Sequence, residues 1–245
     1  RRRVLFEEAA VGLGAAVHVV DRGHDLRVVD DALVTLRPLL ERIAGDPQVL
    51  LELAHDYAGV GAWQDVIALL RAWPSVAEGS PAHAMLYYTL GYAYDKLGDA
   101  AAAVRAYELA ARMDSAYVFP HRLEELRILE RALEVRPSDA RARGYLGTLL
   151  YSLRRYDEGM ESWRQSLALE PSAVNHRNLG KALWKRQGKL EEGRAQYERA
   201  IALAPGDHRL YVDLCDIMTD LCVAPAEKLS LLQSAPHHGR IDARL

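Results

Sequence analysis

The stretch that decides the fold is Gly144–Pro171, GYLGTLLYSLRRYDEGMESWRQSLALEP. Its apolar residues recur with the period of an amphipathic helix, yet Gly147 and Gly159 stand within strongly helical surroundings. A glycine inside a helix costs about 1 kcal/mol relative to alanine. Close packing of two helices offsets that cost, because glycine lets their backbones approach. The stretch therefore predicts two antiparallel helices that cross at these glycines.

Two further segments repeat this pattern, Tyr87–Asp114 and Arg177–Pro205. In each segment a Leu-Gly pair is followed by a small residue and then by an aromatic residue: Leu90-Gly91, Ala103 and Tyr107 in one, Leu179-Gly180, Gly193 and Tyr197 in the other. Weaker copies lie around Leu53 and Leu214. The chain is therefore expected to be a series of similar helical hairpins.

The repeated residues resemble the tetratricopeptide repeat, a helix–turn–helix unit of about 34 residues with the pattern W-x2-L-G-x2-Y, A-x3-F and P. Pro171 and Pro205, which close two of the copies, lie 34 residues apart. Gly98 and Gly188 stand where the turn of such a unit is expected. The resemblance implies an all-α fold in which antiparallel helix hairpins stack into a right-handed superhelical array.

The array departs from a regular period. The leucines of the Leu-small pairs occur at 13, 53, 90, 146, 179 and 214, so one step is half a repeat too long. We predict a half-repeat insertion at about 114–137, where one helix from about His121 to Val135 lacks a partner and makes the array irregular. Residues 1–46 are predicted to form a degenerate N-terminal hairpin, broken at Pro38, and residues 47–245 to form the array. About eleven helices are expected in all.

A second resemblance is more specific. Segments such as AYVFPHRLEELRILERAL and VNHRNLGKALWKRQGK are similar to parts of large bacterial proteins with an N-terminal β-sandwich domain of unknown function. It covers roughly residues 45–245 and implies that the chain is the repeat region of such a protein. The group has a contextual link to carbohydrate metabolism and provides no catalytic residues to carry over.

Composition excludes several classes of protein. The formal net charge of −3 gives no general attraction to nucleic acid, and the apolar run at residues 9–20 is too short to span a membrane. Two cysteines among 245 residues exclude a disulfide framework and favour a reducing compartment, so a cytoplasmic location is predicted. The chain begins with Arg1 rather than methionine, which favours a piece of a longer protein.

No motif for catalysis or metal binding is present. The sequence contains no H-E-x-x-H, C-x-x-C, G-x-S-x-G or phosphate-loop pattern. Cys215 and Cys222 are interpreted as small packing residues, and His237-His238 as a solvated tail. We therefore predict a protein that is not an enzyme, with no catalytic residue, cofactor or metal.

The resemblance to tetratricopeptide repeats implies a binding surface on the concave face, which the first helices of the hairpins line. Counting from each Leu-small pair gives the predicted partner-binding residues Tyr88, Tyr92, Arg141, Tyr145, Tyr151, Arg177, Asn178, Lys181, Trp184 and Lys185. Aromatic residues flanked by polar groups suit the hot spots of a peptide site. Half-buried packing between helices is the alternative for Tyr88 and Tyr92. These two also stand where the carboxylate clamp of chaperone-binding repeats needs Lys and Asn, so that clamp is matched only in part.

Two charged rows accompany this surface. Arg177, Lys181 and Lys185 form a basic row, and the next first helix carries an acidic row of Asp213, Asp216 and Asp220. The rows are predicted to pair with each other, Lys181 with Asp216 and Lys185 with Asp220. The alternative is that the basic row awaits an acidic ligand.

The function predicted from these residues is a non-catalytic protein–protein interaction module that binds a peptide or partner protein on its concave face. The alternative is a structural scaffold or self-association region of a larger multidomain bacterial protein linked to carbohydrate metabolism.

Overall fold

A computed structural model describes residues 47–76, 83–113 and 118–236. These residues form eleven helices and no strand: α1 (Pro47–Gly59), α2 (Trp63–Val76), α3 (Ala84–Lys96), α4 (Ala100–Arg112), α5 (Leu123–Val135), α6 (Ala140–Ser152), α7 (Tyr156–Leu169), α8 (Ala173–Gln187), α9 (Leu190–Leu203), α10 (His208–Asp220) and α11 (Pro225–Ser234). The predicted all-α fold is confirmed. The predicted N-terminal hairpin and its break at Pro38 lie outside the described residues, and the domain boundaries stay predictions.

Five hairpins follow from the paired helices α1/α2, α3/α4, α6/α7, α8/α9 and α10/α11. Each turn contains one residue with a left-handed backbone, namely Gly61, Gly98, Arg154, Gly188 and Cys222. The turns predicted at Gly98 and Gly188 are confirmed. Arg154 and Cys222 take the same conformation without being glycine, with φ of 64° and 57°.

Two compact units divide the chain between Pro137 and Ser138. In the first unit, all five described helices contribute to the largest fully buried side chains: Leu50, Leu51, Leu69, Met85, Tyr88, Tyr107 and Leu129. The lone helix α5 packs against α3, as expected for an element without its own partner. Its extended lead is fixed by the buried Glu125, whose Oε2 accepts the backbone N–H groups of His121 at 2.7 Å and Arg122 at 2.8 Å.

The second unit contains the helices α6 to α11. Its first helices each begin at a capping side chain that accepts backbone N–H groups of the first turn: Asp139 for α6, Ser172 for α8 and Asp207 for α10. The second helices end at Leu169 and Leu203, two residues before Pro171 and Pro205. Apolar residues of neighbouring hairpins share clusters, such as Met160 and Trp163 of α7 with Leu179, Ala182 and Leu183 of α8.

The buried glycines lie at helix crossings, as predicted. A β-carbon at Gly147 would lie 2.9 Å from the carbonyl oxygen of Gly159, and one at Gly180 would lie 3.1 Å from that of Gly193. At Gly91, however, the three nearest atoms all belong to the ring of Tyr107, and Ala103 is not among them. The predicted contact with the small residue of the second helix is therefore confirmed for the Gly147 and Gly180 crossings, whereas at Gly91 the ring of Tyr107 lies nearest. Where the second helix also has glycine, its backbone comes close enough to touch.

Candidate functional site

The first helices α6, α8 and α10 of the second unit carry most of the predicted partner-binding residues, and we call the polar surface they share the first-helix face. The amphipathic pattern of these helices buries one side against α7 and α9 and leaves the opposite side polar. Arg141 and Tyr151 lie on α6, and Arg177, Asn178, Lys181 and Lys185 lie on α8. All six have partly or fully exposed side chains.

Three of the predicted contact residues lie in the core. Tyr88 of the first unit is 0% exposed, and Tyr145 and Trp184 of the second unit are 5% and 6% exposed. Tyr88 packs beside Tyr107, with 6.4 Å between ring centroids. The alternative interpretation, packing between helices, therefore describes Tyr88, because a large ring at this position fills the space inside its hairpin. Trp184 is instead buried against the next hairpin, in a cluster with Leu210, Leu214 and Ile217, and Tyr145 also lies beneath the surface.

Tyr92 of the first unit is half-buried. Its ring meets the ring of Trp63 edge-on at 5.8 Å, and the Lys96 ammonium lies 4.9 Å from its centroid. Tyr92 therefore packs against Trp63 and stays partly exposed.

The ring of Tyr151 packs against two aromatic rings of α7, the second helix of its hairpin. Its ring lies 4.9 Å from that of Tyr156 and 5.1 Å from that of Trp163. Burial raises the pKa of the Tyr151 hydroxyl above its usual value. The Trp163 indole in turn donates a hydrogen bond to the carbonyl oxygen of Gly144 at 3.2 Å, so the position of Tyr151 is fixed by a bonded ring.

Arg177 is joined to the next first helix. Its Nε donates to Oδ2 of Asp213 at 3.1 Å, and the Tyr197 hydroxyl donates to the same oxygen at 3.1 Å. The pKa of Tyr197 is raised by burial first and by Asp213 second. One carboxylate therefore accepts from both α8 and α9, and this fixes one end of the basic row.

The other end of that row is fixed by Asp220. Its Oδ2 accepts the indole N–H of Trp184 at 2.7 Å and lies 3.8 Å from Nζ of Lys185. Lys185 also lies over the Trp184 ring, 3.3 Å from its centroid. The predicted pair of Lys185 and Asp220 is confirmed, and the buried indole gives it a bonded support.

The predicted pair of Lys181 and Asp216 does not form. Neither side chain makes an ion pair with a described residue, and both are exposed. The prediction took the register of the rows from sequence spacing alone. In the structure Arg177 forms an ion pair with Asp213, and Lys185 forms one with Asp220. The side chain of Lys181 is exposed to solvent.

Arg141 is only partly satisfied. Its Nη2 lies 3.9 Å from Glu170, which is a weak contact, and its buried Nη1 has no hydrogen-bond partner among the described residues. Its guanidinium therefore retains donor capacity at the edge of the first-helix face.

A contact missed at the sequence level occurs in the first unit. Arg131 of α5 donates from Nε and Nη2 to the two carboxylate oxygens of Asp95, each at 2.8 Å. The hydrogen bonds from Arg131 lower the pKa of Asp95. The contacts of Asp95 with Arg131, of Arg177 with Asp213 and of Trp184 with Asp220 each join residues 36 positions apart. That separation was a usable signal, since it exceeds the period of the repeat by about half a helical turn.

The described residues contain neither a candidate metal site nor a candidate membrane-spanning helix. In the part of the chain that the structure covers, no group of three or more His, Cys, Asp or Glu residues is arranged to hold a metal ion. No helix within 47–76, 83–113 or 118–236 is both long and apolar enough to cross a membrane.

Comparison with known proteins identifies the repeats. Models of the tetratricopeptide repeat family match residues 84–117, 126–174 and 161–208. The first match spans α3 and α4, and the other two span most of α5 and all of α6 to α9. None of the curated proteins that were compared is significantly similar to the sequence.

Several solved structures are similar to the chain. One is a thermophilic TPR protein of Thermus thermophilus, with 25% identity, coverage of 86% of this chain and 99% of that one, and a TM-score of 0.39. MamA has 20% identity, coverage of 74% and 95%, and a TM-score of 0.34. YrrB, described as a TPR protein with an unusual peptide-binding site, has 20% identity, coverage of 76% and 82%, and a TM-score of 0.36. At such low TM-scores the identification rests on the family models, and the resemblance to large β-sandwich proteins stays an expectation from the sequence.

Proposed function

Because residues 84–117 and 126–208 are tetratricopeptide repeats, we propose that the chain is a non-catalytic interaction module that holds an extended peptide of a partner protein on the first-helix face. The observation that carries this proposal is the support beneath that face. Arg177 is fixed by the partly buried Asp213, and Lys185 lies over the buried Trp184 ring, so both cations contact side chains that are themselves hydrogen-bonded.

These contacts favour peptide binding because they lower the side-chain entropy that is lost when a peptide binds. Immobilising a flexible side chain on binding costs about 0.5–1.5 kcal/mol. The Arg177 and Lys185 side chains are already partly ordered in the free protein by their contacts with α10. A peptide on this face therefore meets a surface that is largely prearranged.

The residues proposed to contact the peptide are the exposed and half-buried members of the predicted set: Arg141, Tyr151, Arg177, Asn178, Lys181 and Lys185 of the second unit. Tyr92 is a further candidate in the first unit. Tyr88, Tyr145 and Trp184 act beneath the surface, where they position their neighbours. The proposed partner is a protein rather than a nucleic acid or a membrane, in keeping with the net charge of −3. The free thiols of Cys215 and Cys222 suit a reducing compartment, for which we propose the cytoplasm.

Selection from a random peptide library displayed on phage tests this function. Peptides enriched on the wild-type chain are synthesised, and their affinities for two variants are measured. The triple variant Arg141→Ala, Asn178→Ala, Lys181→Ala is expected to bind them at least about tenfold more weakly, which corresponds to about 1.4 kcal/mol. A control variant with Arg199→Ala, an exposed change on α9, keeps the wild-type affinity. Equal loss in both variants, or no enrichment at all, would contradict the proposal.

Self-association is a second candidate, favoured by α11, the last helix of the described residues. None of its residues is buried, and it exposes Leu229 and Leu232, which are 56% and 44% accessible. Apolar side chains exposed together on a helix are a common feature of surfaces that contact another protein. Sedimentation velocity across a hundredfold dilution distinguishes this candidate, since a self-associating chain loses mass on dilution and a monomer does not. A place in a larger bacterial protein linked to carbohydrate metabolism remains a prediction from the resemblance alone.

A further inference from the structure

The basic row of α8 and the acidic row of α10 define three levels on the first-helix face, at Arg177 and Asp213, at Lys181 and Asp216, and at Lys185 and Asp220. Arg177, Lys181 and Lys185 recur every four residues, so they point the same way from α8. The outer two levels are closed by Arg177 with Asp213 at 3.1 Å and by Lys185 with Asp220 at 3.8 Å. Lys181 of α8 therefore stands between two residues that both reach α10.

At the middle level, Lys181 and Asp216 form no ion pair with each other. Lys181 and Asp216 are exposed, and neither has an ion pair with a described residue. Asn178 lies one turn before Lys181 on α8, is partly exposed, and makes no hydrogen bond within the described residues. A cation, an anion and an amide therefore have no ion-pair or hydrogen-bond partner among the described residues, and they lie between two levels at which ion pairs form.

These three groups share a ligand chemistry. An amide side chain offers both a donor and an acceptor, which matches a peptide bond. Lys181 offers a positive charge and Asp216 a negative one, so a ligand with only acidic groups would meet the repulsion of the α10 row. A ligand with only basic groups would meet that of the α8 row. Repulsion of the wrong charge is an effective source of specificity.

Resting on the proposed function, we propose that Asn178, Lys181 and Asp216 bind an extended peptide that carries an acidic and a basic side chain separated by one residue. The acidic group pairs with Lys181, the basic group pairs with Asp216, and the amide of Asn178 bonds to the peptide backbone. The spacing follows from geometry: alternate side chains of an extended strand point the same way about 6.6 Å apart, and packed helices lie about 8–10 Å apart.

Three blocked peptides test this specificity. Each is an acetylated and amidated Gly/Ser nonapeptide, and they differ only at the centre, which is Asp-Gly-Lys, Asp-Gly-Asp or Lys-Gly-Lys. Binding to the full chain is followed at low ionic strength by nuclear magnetic resonance, with the side-chain amide of Asn178 as the reporter. The wild-type chain is expected to bind Asp-Gly-Lys about two- to fivefold more tightly than either other peptide, the range of one exposed ion pair.

Charge reversal of single residues should change the order of affinities. Lys181→Glu makes the middle level acidic, so Lys-Gly-Lys becomes the best ligand. Asp216→Lys makes it basic, so Asp-Gly-Asp becomes the best ligand. Arg199→Glu on α9 is the matched control and keeps the wild-type order. All three substituted side chains are exposed, so the thermal melting temperature of each variant should match that of the wild type.

Three results would overturn the inference: wild-type preference for Asp-Gly-Asp, equal binding of all three peptides, or no shift at Asn178 with any of them. Its failure is distinguishable from that of the proposed function. If library peptides bind the first-helix face while the three probes are not discriminated, only the mixed-charge specificity is wrong. If library peptides also fail to bind there, the proposed function is wrong as well.

Discussion

Trp163 covers Gly147 where α6 and α7 cross: a β-carbon built on Gly147 would lie 2.6 Å from Cδ1 of the indole and 2.9 Å from the carbonyl oxygen of Gly159. The same relation joins Gly91 to Tyr107 and Gly180 to Tyr197. Each glycine therefore makes room for an aromatic ring of the second helix. The hairpins depend on this because the ring fills the space between the two helices.

Replacing Gly147 by alanine should destabilise the protein. The new methyl group meets both a ring and a backbone atom, and neither can move without shifting α7. We expect a loss of about 1–3 kcal/mol in the free energy of unfolding, measured by urea denaturation. Gly59→Ala is the control, because nothing lies within 4 Å of its β-carbon position. Equal stability of Gly147→Ala and the wild type would show that the assigned crossing is wrong.

The two non-glycine turns should respond in the opposite direction. Arg154 and Cys222 hold positive φ angles, which cost a residue with a side chain about 1–2 kcal/mol. Arg154→Gly and Cys222→Gly relieve this strain, while the greater freedom of glycine in the unfolded chain offsets part of the gain, so each variant should unfold with a free energy higher by about 0.5–1 kcal/mol. Gly98→Ala, at φ 80°, should lower it, and a loss of stability in both glycine variants would contradict the assignment.

Asp213 and Asp216 lie one turn apart on α10 and should differ in their effect on stability. Asp213→Ala removes the acceptor of both Arg177 and the buried Tyr197. A buried donor left without a partner costs about 1–3 kcal/mol. Asp216→Ala removes an exposed group with no described ion pair, so its unfolding free energy should stay within about 0.5 kcal/mol of the wild type. Similar values for both variants would argue against the Tyr197–Asp213–Arg177 arrangement.

His55 should make stability fall between pH 6.5 and pH 4. Its ring is 2% exposed, and neither nitrogen has a hydrogen-bond partner among the described residues. Burial, reinforced by Arg122, lowers its pKa from 6.5 to about 4. Between these values the unfolded chain binds a proton that the folded chain does not, so unfolding is favoured as the pH falls, by up to about 3 kcal/mol.

The variant His55→Leu isolates this contribution. Its unfolding free energy should lack the His55 part of the pH dependence, so the difference from the wild type should change steadily from pH 7 to pH 4 and then level off. Urea denaturation at several pH values measures that difference. A difference that is constant with pH would mean that His55 is protonated in the folded protein as readily as in the unfolded one.

Helix faces and turns could be predicted from the sequence, whereas side-chain contacts between hairpins were predicted only in part: the pair of Lys185 and Asp220 forms, and that of Lys181 and Asp216 does not. The Leu-Gly pairs, the turns at Gly98 and Gly188, and the helix ends before Pro171 follow from local rules about propensity and backbone conformation. The partner of Lys181 depends instead on the register of α8 against α10. A repeat period defines that register only to within a few residues, and one helical turn separates Asp213 from Asp216.

The candidate site was predicted in part for the same reason. The resemblance to tetratricopeptide repeats placed Tyr88, Tyr145 and Trp184 on the side of the first helix that lines the surface, but the depth of a ring depends on the neighbouring hairpin. Arg131 was missed because it lies on the inserted helix α5, outside the repeat pattern, and only its 36-residue separation from Asp95 pointed to the contact. Asn178, Lys181 and Lys185 are small or flexible enough to remain at the surface.

The most direct test of the central claim is the location of a bound peptide on the protein. A peptide selected on the wild-type chain, with benzoylphenylalanine at its centre, is crosslinked by light, and the attached residues are identified by mass spectrometry. We predict crosslinks to the first helices α6, α8 and α10, with residues near Asn178 and Lys181 labelled most strongly. Crosslinks confined to the second helices α7 and α9 would contradict a peptide site on the first-helix face.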